Sequence, residues 1–216
     1  GGMHFSFFNQ PLAAQKNFKS FCSALKPLLS SNAQALEELE KIENNFSKIM
    51  QEKMEDMWAK KLGIDKFDVK LFEELINLMI ETKVDYTIFF RELSNIPNDI
   101  NELEKSFYGS LKNENIKSRW NSWLEKWKSI INDKESKESL SNQMKLTNPK
   151  YTLREWHLVW AYQEAQNGNY KPVHQLQEIM TNPYEEQTKE IEEKYYIKKP
   201  SDFFGIAGIS HVSCSS

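Results

Sequence analysis

NPKYTLREWHLVWAYQEAQNGNYKPVHQLQEIMTNP, residues 148–183, is the stretch that decides the fold. Pro149 ends any helix that precedes it, because the residue before a proline is pushed out of the α region. Thr152 and Glu155 have the spacing of a capping box, so a helix is predicted to begin at Thr152. Gly168 is the residue best suited to a left-handed cap at the end of that helix. The side chains expected to point inward are Trp156, Val159, Trp160 and Tyr162.

The second half of this stretch predicts another helix. Pro172 suits a first helical turn, and Asn182 followed by Pro183 stops the helix. Its inward-facing residues are expected to be Leu176, Ile179 and Met180. Because only a short glycine-containing link separates the two helices, the stretch predicts a helical hairpin.

Composition favours helices throughout the chain. The 216 residues are 39% hydrophobic and 12% aromatic, which is typical of a folded protein with a substantial core. Only 7 glycines and 7 prolines are present, and neither an alternating strand pattern nor an internal repeat occurs. The sequence therefore predicts an all-α fold, an irregular array of about eight to ten helices.

Apolar residues spaced by three and four mark the other helices. Pro27 is expected to bend or end the first of them, and Gly63 to end the second in a Schellman turn with Ile64. Residues 132–145 are highly charged and form either a solvated helix or a flexible connector. The predicted helices span residues 12–29, 31–62, 68–81, 85–93, 99–108, 116–131 and 184–196.

A tryptophan-rich segment raises the question of nucleic-acid binding. Residues 112–128 contain three tryptophans and five basic residues, a combination that can stack single-stranded nucleic acid. The tryptophans share one helical face, however, which favours a core-facing stripe. The net charge of −3 also excludes a globally basic nucleic-acid binder. We therefore expect no nucleic-acid partner.

Motifs for phosphate, metal and hydrolytic chemistry are missing from the sequence. It contains no glycine-rich phosphate loop, no kinase catalytic motif and no nucleophile elbow, so no cofactor is expected to bind this chain. His211 and Cys214 could form half of a zinc site, but no second half is visible, so no metal is expected either. His157 and His174 are expected at the surface or boundary of the hairpin.

The two cysteines differ in their surroundings. Cys22 lies on an apolar helix face and is expected to be inert packing. Cys214 lies in a Ser- and Gly-rich tail near His211, and is either an ordinary cysteine at a frayed end or a redox-active thiol. Two cysteines are too few for a disulfide framework, which favours a reducing compartment. No stretch is long and apolar enough to span a membrane, and no signal peptide is found.

A set of short motifs occurs in order along the chain: Asn9-Gln10-Pro11, Lys61-Leu62-Gly63, Asp85-Tyr86-Thr87, Phe89-Phe90-Arg91, Asn148-Pro149, Tyr151, Arg154, Pro183-Tyr184 and Gln187. The chain ends in Cys214-Ser215-Ser216. Together these motifs resemble the selenoprotein O family, in whose tail selenocysteine or cysteine is third from the end. The resemblance covers nearly the whole chain, with residues 99–147 its weakest part.

The resemblance implies a kinase-like (pseudokinase) protein that transfers AMP from ATP to Ser, Thr or Tyr hydroxyls of proteins. In that family an N-terminal half binds ATP and magnesium. That half would precede Gly1, since the chain opens Gly-Gly instead of Met, and we interpret the sequence as a fragment without catalytic residues. The implied partners are this kinase-like half and protein substrates, in the cytoplasm or the mitochondrial matrix.

The resemblance assigns a role to one residue. Cys214 stands at the selenocysteine or cysteine position, so a redox role is implied for it. Apart from the resemblance, Asp85, Arg91 and Arg154 are expected to have structural or interdomain roles. Arg154 follows a capping threonine and can pair with a neighbouring carboxylate, with a plain surface ion pair as the open alternative.

Two interpretations of the whole chain remain open. In the first, residues 1–131 continue the kinase-like half, 132–147 are a charged connector, 148–199 are the hairpin plus one helix, and 200–216 are a flexible tail. In the second, the chain is a stand-alone all-helical interaction module without catalysis. Residues 4–11, HFSFFNQP, are predicted to be an extended aromatic lead-in that docks Phe5, Phe7 and Phe8. A stand-alone module would bury this lead-in in its own core. A large exposed apolar face around Phe5–Phe8 and the long helix would instead indicate a removed partner domain.

Overall fold

The computed structural model describes residues 9–131 and 136–204. These residues form nine α-helices and three 3-10 segments and contain no strand, which confirms the all-α prediction. The α-helices are α1 (Gln10–Leu25), α2 (Ala33–Leu62), α3 (Val69–Thr82), α4 (Tyr86–Leu93), α5 (Glu114–Ile131), α6 (Lys137–Thr147), α7 (Glu155–Gln166), α8 (Lys171–Thr181) and α9 (Lys189–Tyr195). The 3-10 segments are Lys26–Leu29, Ile100–Ser106 and Ser201–Phe203. The chain divides into an N-terminal unit, Gly1–Trp58, and a C-terminal unit, Ala59–Ser216.

Two antiparallel helical segments make up the described part of the N-terminal unit. Phe18 of α1 stacks on Phe46 of α2 with their ring centroids 4.7 Å apart. Helix α1 ends just before Pro27, as expected, and the chain continues as a 3-10 segment. The side chain of Asn32 accepts the backbone N–H three residues later, so Asn32, and not Ser31, caps α2.

The N-terminal unit buries few of its apolar side chains. Within its described residues, the buried hydrophobic residues are Cys22, Leu39 and Trp58. The large apolar side chains that remain exposed are Leu12, Phe21, Leu28, Ile42 and Ile49. The aromatic side chains of the lead-in, Phe5, Phe7 and Phe8, lie outside the described residues. Its last two residues, Gln10 and Pro11, were predicted to be extended and instead begin α1, where Pro11 suits the first turn.

Tryptophans of α5 form the centre of the C-terminal unit. Trp120, Trp123 and Trp127 are buried, which confirms that their stripe faces the core. The indole N–H groups of Trp123 and Trp127 also donate hydrogen bonds to backbone carbonyls. Trp123 donates to Leu71 at 2.9 Å, and Trp127 donates to Leu62 at 2.7 Å. Because a buried indole needs an acceptor, these bonds fix α5 against the end of α2 and the start of α3.

Gly63 ends α2 in the predicted Schellman turn. Its φ is +65°, a conformation that costs a residue with a side chain about 1–2 kcal/mol. The N–H of Gly63 bonds to the carbonyl of Lys60, and the N–H of Ile64 bonds to that of Ala59. A β-carbon at Gly63 would lie 2.7 Å from the sulfur of Met144, which is buried. Glycine is therefore required here both by the backbone and by the packing of α6.

The hairpin of α7 and α8 is confirmed. Gly168, at φ +82°, closes a second Schellman turn, and α8 ends before Asn182 as predicted. The start of α7 was predicted at Thr152 and is instead Glu155. The preceding residues are extended because tertiary partners hold them: the carbonyl of Pro183 accepts the N–H groups of Lys150 and Tyr151. Tyr162, expected inside, is exposed.

Three further elements differ from the prediction. Helix α9 begins at Lys189, after a cap by Thr188, and not at residue 184. The segment predicted as a helix over 99–108 is a 3-10 segment that is capped by Asp99. In the charged stretch, α6 is a helix whose Met144 is fully buried, so this part is more than a solvated surface.

Candidate functional site

The carboxylate of Asp85 is the centre of a polar cluster in the C-terminal unit. Asp85 caps α4 by accepting the N–H of Ile88 at 3.1 Å. Arg154 donates to both of its oxygens, at 2.6 and 2.9 Å, in the two-pronged geometry that suits a guanidinium and a carboxylate. The hydroxyl of Tyr108 donates to it as well, at 3.1 Å. The buried carboxylate of Asp85 thus accepts four hydrogen bonds, two of them from Arg154.

Arg154 contacts an aromatic ring as well as the carboxylate of Asp85. Its guanidinium lies 5.0 Å from the ring centre of Trp156, within the range of a cation–π contact. Burial and the nearby Asp85 raise the pKa of the Tyr108 hydroxyl, so this group remains a proton donor at neutral pH. The Asp85–Arg154 pair joins the residue before α7 to the cap of α4, across 69 positions of the sequence.

Arg91 is the second buried arginine of this region. It donates to the backbone carbonyls of Lys145 and Asn148 at 3.2 and 3.1 Å, and to the carboxylate of Glu186 at 2.7 Å. All of these contacts lie within the C-terminal unit. Arg91 therefore ties α4 to the end of α6 and to the chain that follows the hairpin.

The carboxylate of Glu186 forms a salt bridge with Lys150 as well as with Arg91. Although burial by itself would raise the pKa of Glu186, hydrogen bonds from Lys150 and Arg91 hold it at about 2. Burial would likewise lower the pKa of Lys150, but Glu186 and Glu192 together raise it. The ammonium of Lys150 lies 2.9 Å from Glu192. The two glutamates thus keep a buried lysine charged.

Asn148 connects this network to the end of α2. Its fully buried amide donates to the carbonyl of Lys61 at 2.8 Å and to the hydroxyl of Ser94 at 3.0 Å. Removing such an amide would leave two acceptors to be satisfied elsewhere. Asn148 therefore links the residue that precedes the hairpin to the last turn of α2 and to the C-terminal end of α4 by hydrogen bonds.

The sequence singled out Asp85, Arg91 and Arg154, but not how they pair. The structure brings Asp85 and Arg154 into direct contact, whereas Arg91 belongs to the neighbouring network. Sequence reasoning missed Glu186, although it lies between two positions of the quoted family motif, Tyr184 and Gln187. A carboxylate within that motif was the signal that could have revealed the partner of Arg91.

His157 is buried, so its expected place at the surface or boundary was wrong. The first turn of α7 turns the ring inward, where it meets Tyr195 edge-on with centroids 5.0 Å apart. Burial, reinforced by the positive charges of Arg154 and Lys194, lowers the pKa of His157 to about 4. The imidazole is therefore neutral at pH 7. His174, by contrast, is exposed as expected.

An open groove of about 970 Å³ lies beside the Asp85 cluster. Tyr108 lines it and also bonds to Asp85. Phe107 and Phe204 supply apolar surface to the groove, and Lys83 and Lys199 supply positive charge.

The remaining candidate residues concern thiols and metals. Cys214 and His211 lie outside the described residues, and Cys22 is buried as expected. Within residues 9–131 and 136–204, no group of three or more His, Cys, Asp or Glu side chains is arranged to hold a metal ion. Among the helices described, none has the length and hydropathy needed to cross a bilayer.

Comparison with known proteins gives consistent matches. The family model described as "Protein adenylyltransferase SelO" matches residues 2–181. "Protein nucleotidyltransferase YdiU" of Aromatoleum aromaticum is 31% identical over 223 residues, covering 100% of this chain and 42% of the relative. Proteins of the same name from Flavobacterium johnsoniae and Vibrio parahaemolyticus are 30% and 31% identical, each covering 98% of this chain and 42% of the relative. The chain thus spans less than half the length of these relatives.

Proposed function

The chain belongs to the SelO protein adenylyltransferase family, and we propose that it is a helical portion of an enzyme that transfers AMP from ATP to protein hydroxyl groups. In this proposal a kinase-like part of a longer protein binds ATP and magnesium, and the present chain supports that part. The observation that carries the proposal is the family match over residues 2–181 in a chain that spans 42% of its relatives' length.

The exposed apolar side chains of the N-terminal unit support a missing partner. Phe21 of α1 and Leu28 of the following 3-10 segment are both exposed, as are Ile42 and Ile49, which lie seven residues apart on α2. Extended apolar surface of this kind marks an interaction face, because water contact with it is unfavourable. We propose that the remainder of a family-length protein covers it.

The polar network gives this helical portion a rigid form. Nucleotidyl transfer, like phosphoryl transfer, depends mainly on positioning and electrostatics, so a rigid support can affect the rate without touching the nucleotide. Asp85, Arg91 and Arg154 are the positioning residues in this proposal, since each joins segments that are distant in the sequence. None of them is proposed to contact ATP.

Regulation through Cys214 forms the last part of the proposal. The family resemblance of Cys214-Ser215-Ser216 supports a redox role, and a thiol–disulfide change is a local event that can switch an enzyme. Cys22 is buried within a helix, which makes it a poor disulfide partner. The partner thiol is therefore proposed to lie in the kinase-like part.

Calorimetry with ATP and magnesium tests the proposal. The 216-residue chain is compared with a family-length version of the same protein. We expect no heat of binding for the chain alone, and both binding and AMP transfer to protein for the longer form. Binding by the chain alone, or no AMP transfer by the longer form, would overturn the proposal.

A second experiment tests the thiol. In the family-length protein, Cys214→Ser should abolish the dependence of AMP transfer on reductant, while Cys22→Ala leaves that dependence in place. Equal responses of the wild type and Cys214→Ser would refute the redox role.

A stand-alone interaction module remains the second candidate. The extensive core of the C-terminal unit favours it, because the indoles of Trp123 and Trp127 and the side-chain amide of Asn148 donate hydrogen bonds to partners within that unit. A chain that is monomeric, binds no hydrophobic dye and unfolds in one cooperative step would support this candidate. Strong dye binding that is lost in the family-length protein would exclude it.

A further inference from the structure

The C-terminal end of the described chain lies along the open groove of about 970 Å³. The ammonium of Lys198 donates to the carbonyl of Phe107. The N–H of Lys199 donates to the hydroxyl of Tyr108 at 3.2 Å, and the ring of Phe204 meets the Tyr108 ring edge-on with centroids 5.6 Å apart. Three contacts therefore hold this part of the chain against the groove, and the chain reaches the groove at Phe204.

The groove offers more apolar surface than Phe204 covers. Phe204 lines the groove and is still 55% exposed. Val84, Leu111 and Ile116 line it as well, and they come from other parts of the C-terminal unit. A further apolar segment that packs beside Phe204 would remove this surface from water, which is favourable.

The charges around the groove restrict what can enter it. The charged side chains that line it are Glu81, Lys83, Lys198 and Lys199. Glu81 already forms a salt bridge with Arg119 at 2.8 Å. A strongly basic segment would therefore be repelled, whereas an uncharged apolar segment or an acidic one is compatible with the groove.

Residues 205–216, GIAGISHVSCSS, follow Phe204 directly and match these requirements. They contain no Lys, Arg, Asp or Glu. Their large apolar side chains, Ile206, Ile209 and Val212, recur at every third residue. This spacing brings side chains to one face of any segment with three residues per turn. The sequence after Phe204 is therefore an uncharged segment with an apolar stripe.

The covalent connection favours this segment over a separate peptide. Because the segment is joined to Phe204, it binds without the loss of translational and rotational freedom that a separate partner undergoes. A short flexible link gives an effective concentration on the order of 1 mM. The twelve residues can extend about 40 Å, so their length does not prevent docking.

We propose that residues 205–216 dock in this groove, with Ile206 and Ile209 as the apolar anchors. The groove is then a binding site for the protein's own C-terminal segment. Docking confines Cys214, which follows Ile209 by five residues, to within about 18 Å of that anchor. The inference concerns this chain by itself and does not rest on the transfer of AMP.

Paramagnetic broadening of backbone amide NMR signals tests the docking. A nitroxide is attached to Cys214 of the isotope-labelled 216-residue chain, in which the buried Cys22 is replaced by alanine. Spectra with the nitroxide in its paramagnetic and its reduced form are compared. We expect broadening at the groove amides of Val84, Leu111 and Ile116.

Variants of the segment separate docking from the effect of the covalent connection. Ile206→Asp combined with Ile209→Asp keeps the connection and removes both anchors. The ratio of docked to undocked chains should then fall about tenfold or more, because two isoleucines lose their burial. The matched control is Ser213→Asp combined with Ser215→Asp, which adds the same charge, keeps both anchors and should leave the broadening in place.

A variant of the groove provides an independent measurement. Ile116→Asp should reduce the broadening as the loss of the segment's anchors does. Ile80→Asp is its control, because Ile80 is an exposed isoleucine of α3 that does not line the groove, and the broadening should persist in this variant. Unchanged amide signals elsewhere in the spectrum show that both variants are folded.

Three outcomes would overturn the proposal. Broadening that survives the loss of Ile206 and Ile209 would be caused by the covalent connection alone. Groove amides without broadening in the parent chain would leave the groove to a separate partner, such as an acidic peptide. Broadening in a mixture of spin-labelled chains and isotope-labelled chains without nitroxide would place the segment of a second copy in the groove.

Discussion

Replacement of Arg154 by methionine tests whether burial gives the Asp85–Arg154 pair its energetic importance. Methionine keeps an apolar stem beside Trp156 but removes both hydrogen bonds to Asp85. The side chains of Arg154 and Asp85 are 12% and 3% exposed, so the carboxylate would remain buried without its counterion. Breaking a buried pair in this way costs about 3–5 kcal/mol. For a chain of this length, that corresponds to a fall in melting temperature of about 6–20 °C.

The chain contains a matched control for this substitution. Arg119 pairs with Glu81 at 2.8 Å, a distance similar to that of the buried pair, but both side chains are 45% exposed. Exposed pairs contribute about 0–1 kcal/mol, so Arg119→Met should be nearly neutral. The shortest distances are similar in the two pairs, which differ in burial and in the number of guanidinium nitrogens that donate, two in Arg154 and one in Arg119.

A double-mutant cycle isolates the interaction itself. Asp85→Asn preserves a cap for α4 and is combined with Arg154→Met, while Glu81→Gln is combined with Arg119→Met. Urea unfolding is followed by tryptophan fluorescence, since five of the six tryptophans lie in the C-terminal unit. We expect a coupling of at least about 2 kcal/mol for the buried pair, insensitive to salt, and a small screened coupling for the exposed one. Equal couplings would refute the reasoning.

Three further predictions concern stability. In urea unfolding, Gly63→Ala should lower the free energy of unfolding by about 2–4 kcal/mol and Gly168→Ala by about 1–2 kcal/mol, because both residues have positive φ but only a β-carbon at Gly63 would also meet a buried side chain. Gly109→Ala, with open space around the new β-carbon, should be neutral. Equal costs at Gly63 and Gly168 would contradict the packing argument. The pKa of His157 is about 4 in the folded chain, against 6.5 for an ordinary histidine. The free energy of unfolding should therefore fall by about 3 kcal/mol as the pH drops from 6.5 to 4. The urea midpoint of His157→Phe should depend less on pH over this range than that of the wild type. Glu186→Gln should remove a stabilising contribution to folding that the wild type keeps above pH 4.5 and loses as the pH falls toward 2. The total cost should be smaller than that of Arg154→Met, because the side chain of Glu186 is largely exposed. An acid-unfolding profile unchanged by Glu186→Gln would rule this out.

Local sequence rules predicted the parts of the fold that depend on neighbouring residues. Gly63, Gly168 and the Asn182-Pro183 stop end helices through their own backbone preferences, so each was readable from the chain. The tryptophan stripe of α5 was readable for a similar reason, since its period matches one helical face.

The candidate site was less predictable because its contacts join distant residues. Thr152 and Glu155 satisfy the capping rule, yet the chain there stays extended to place Arg154 on Asp85. His157 carries no local signal of burial, because the ring that covers it, Tyr195, comes from α9. Pairings across tens of residues are decided by tertiary packing, which a single sequence does not reveal.

The bond from the Trp127 indole to the carbonyl of Leu62 sets limits on chain length in this part of the protein. Each residue added to a helix rotates the residues after it by about 100° around the helix axis. A single insertion between Ala59 and Leu62 would therefore carry that carbonyl away from the indole and displace Gly63 from α6. In the exposed loop before α5, the hydrogen bonds that the structure gives for Asn113 are local, since this residue accepts N–H groups of the turn that follows it. Natural insertions and deletions should accumulate near Asn113 and be excluded from the last turn of α2.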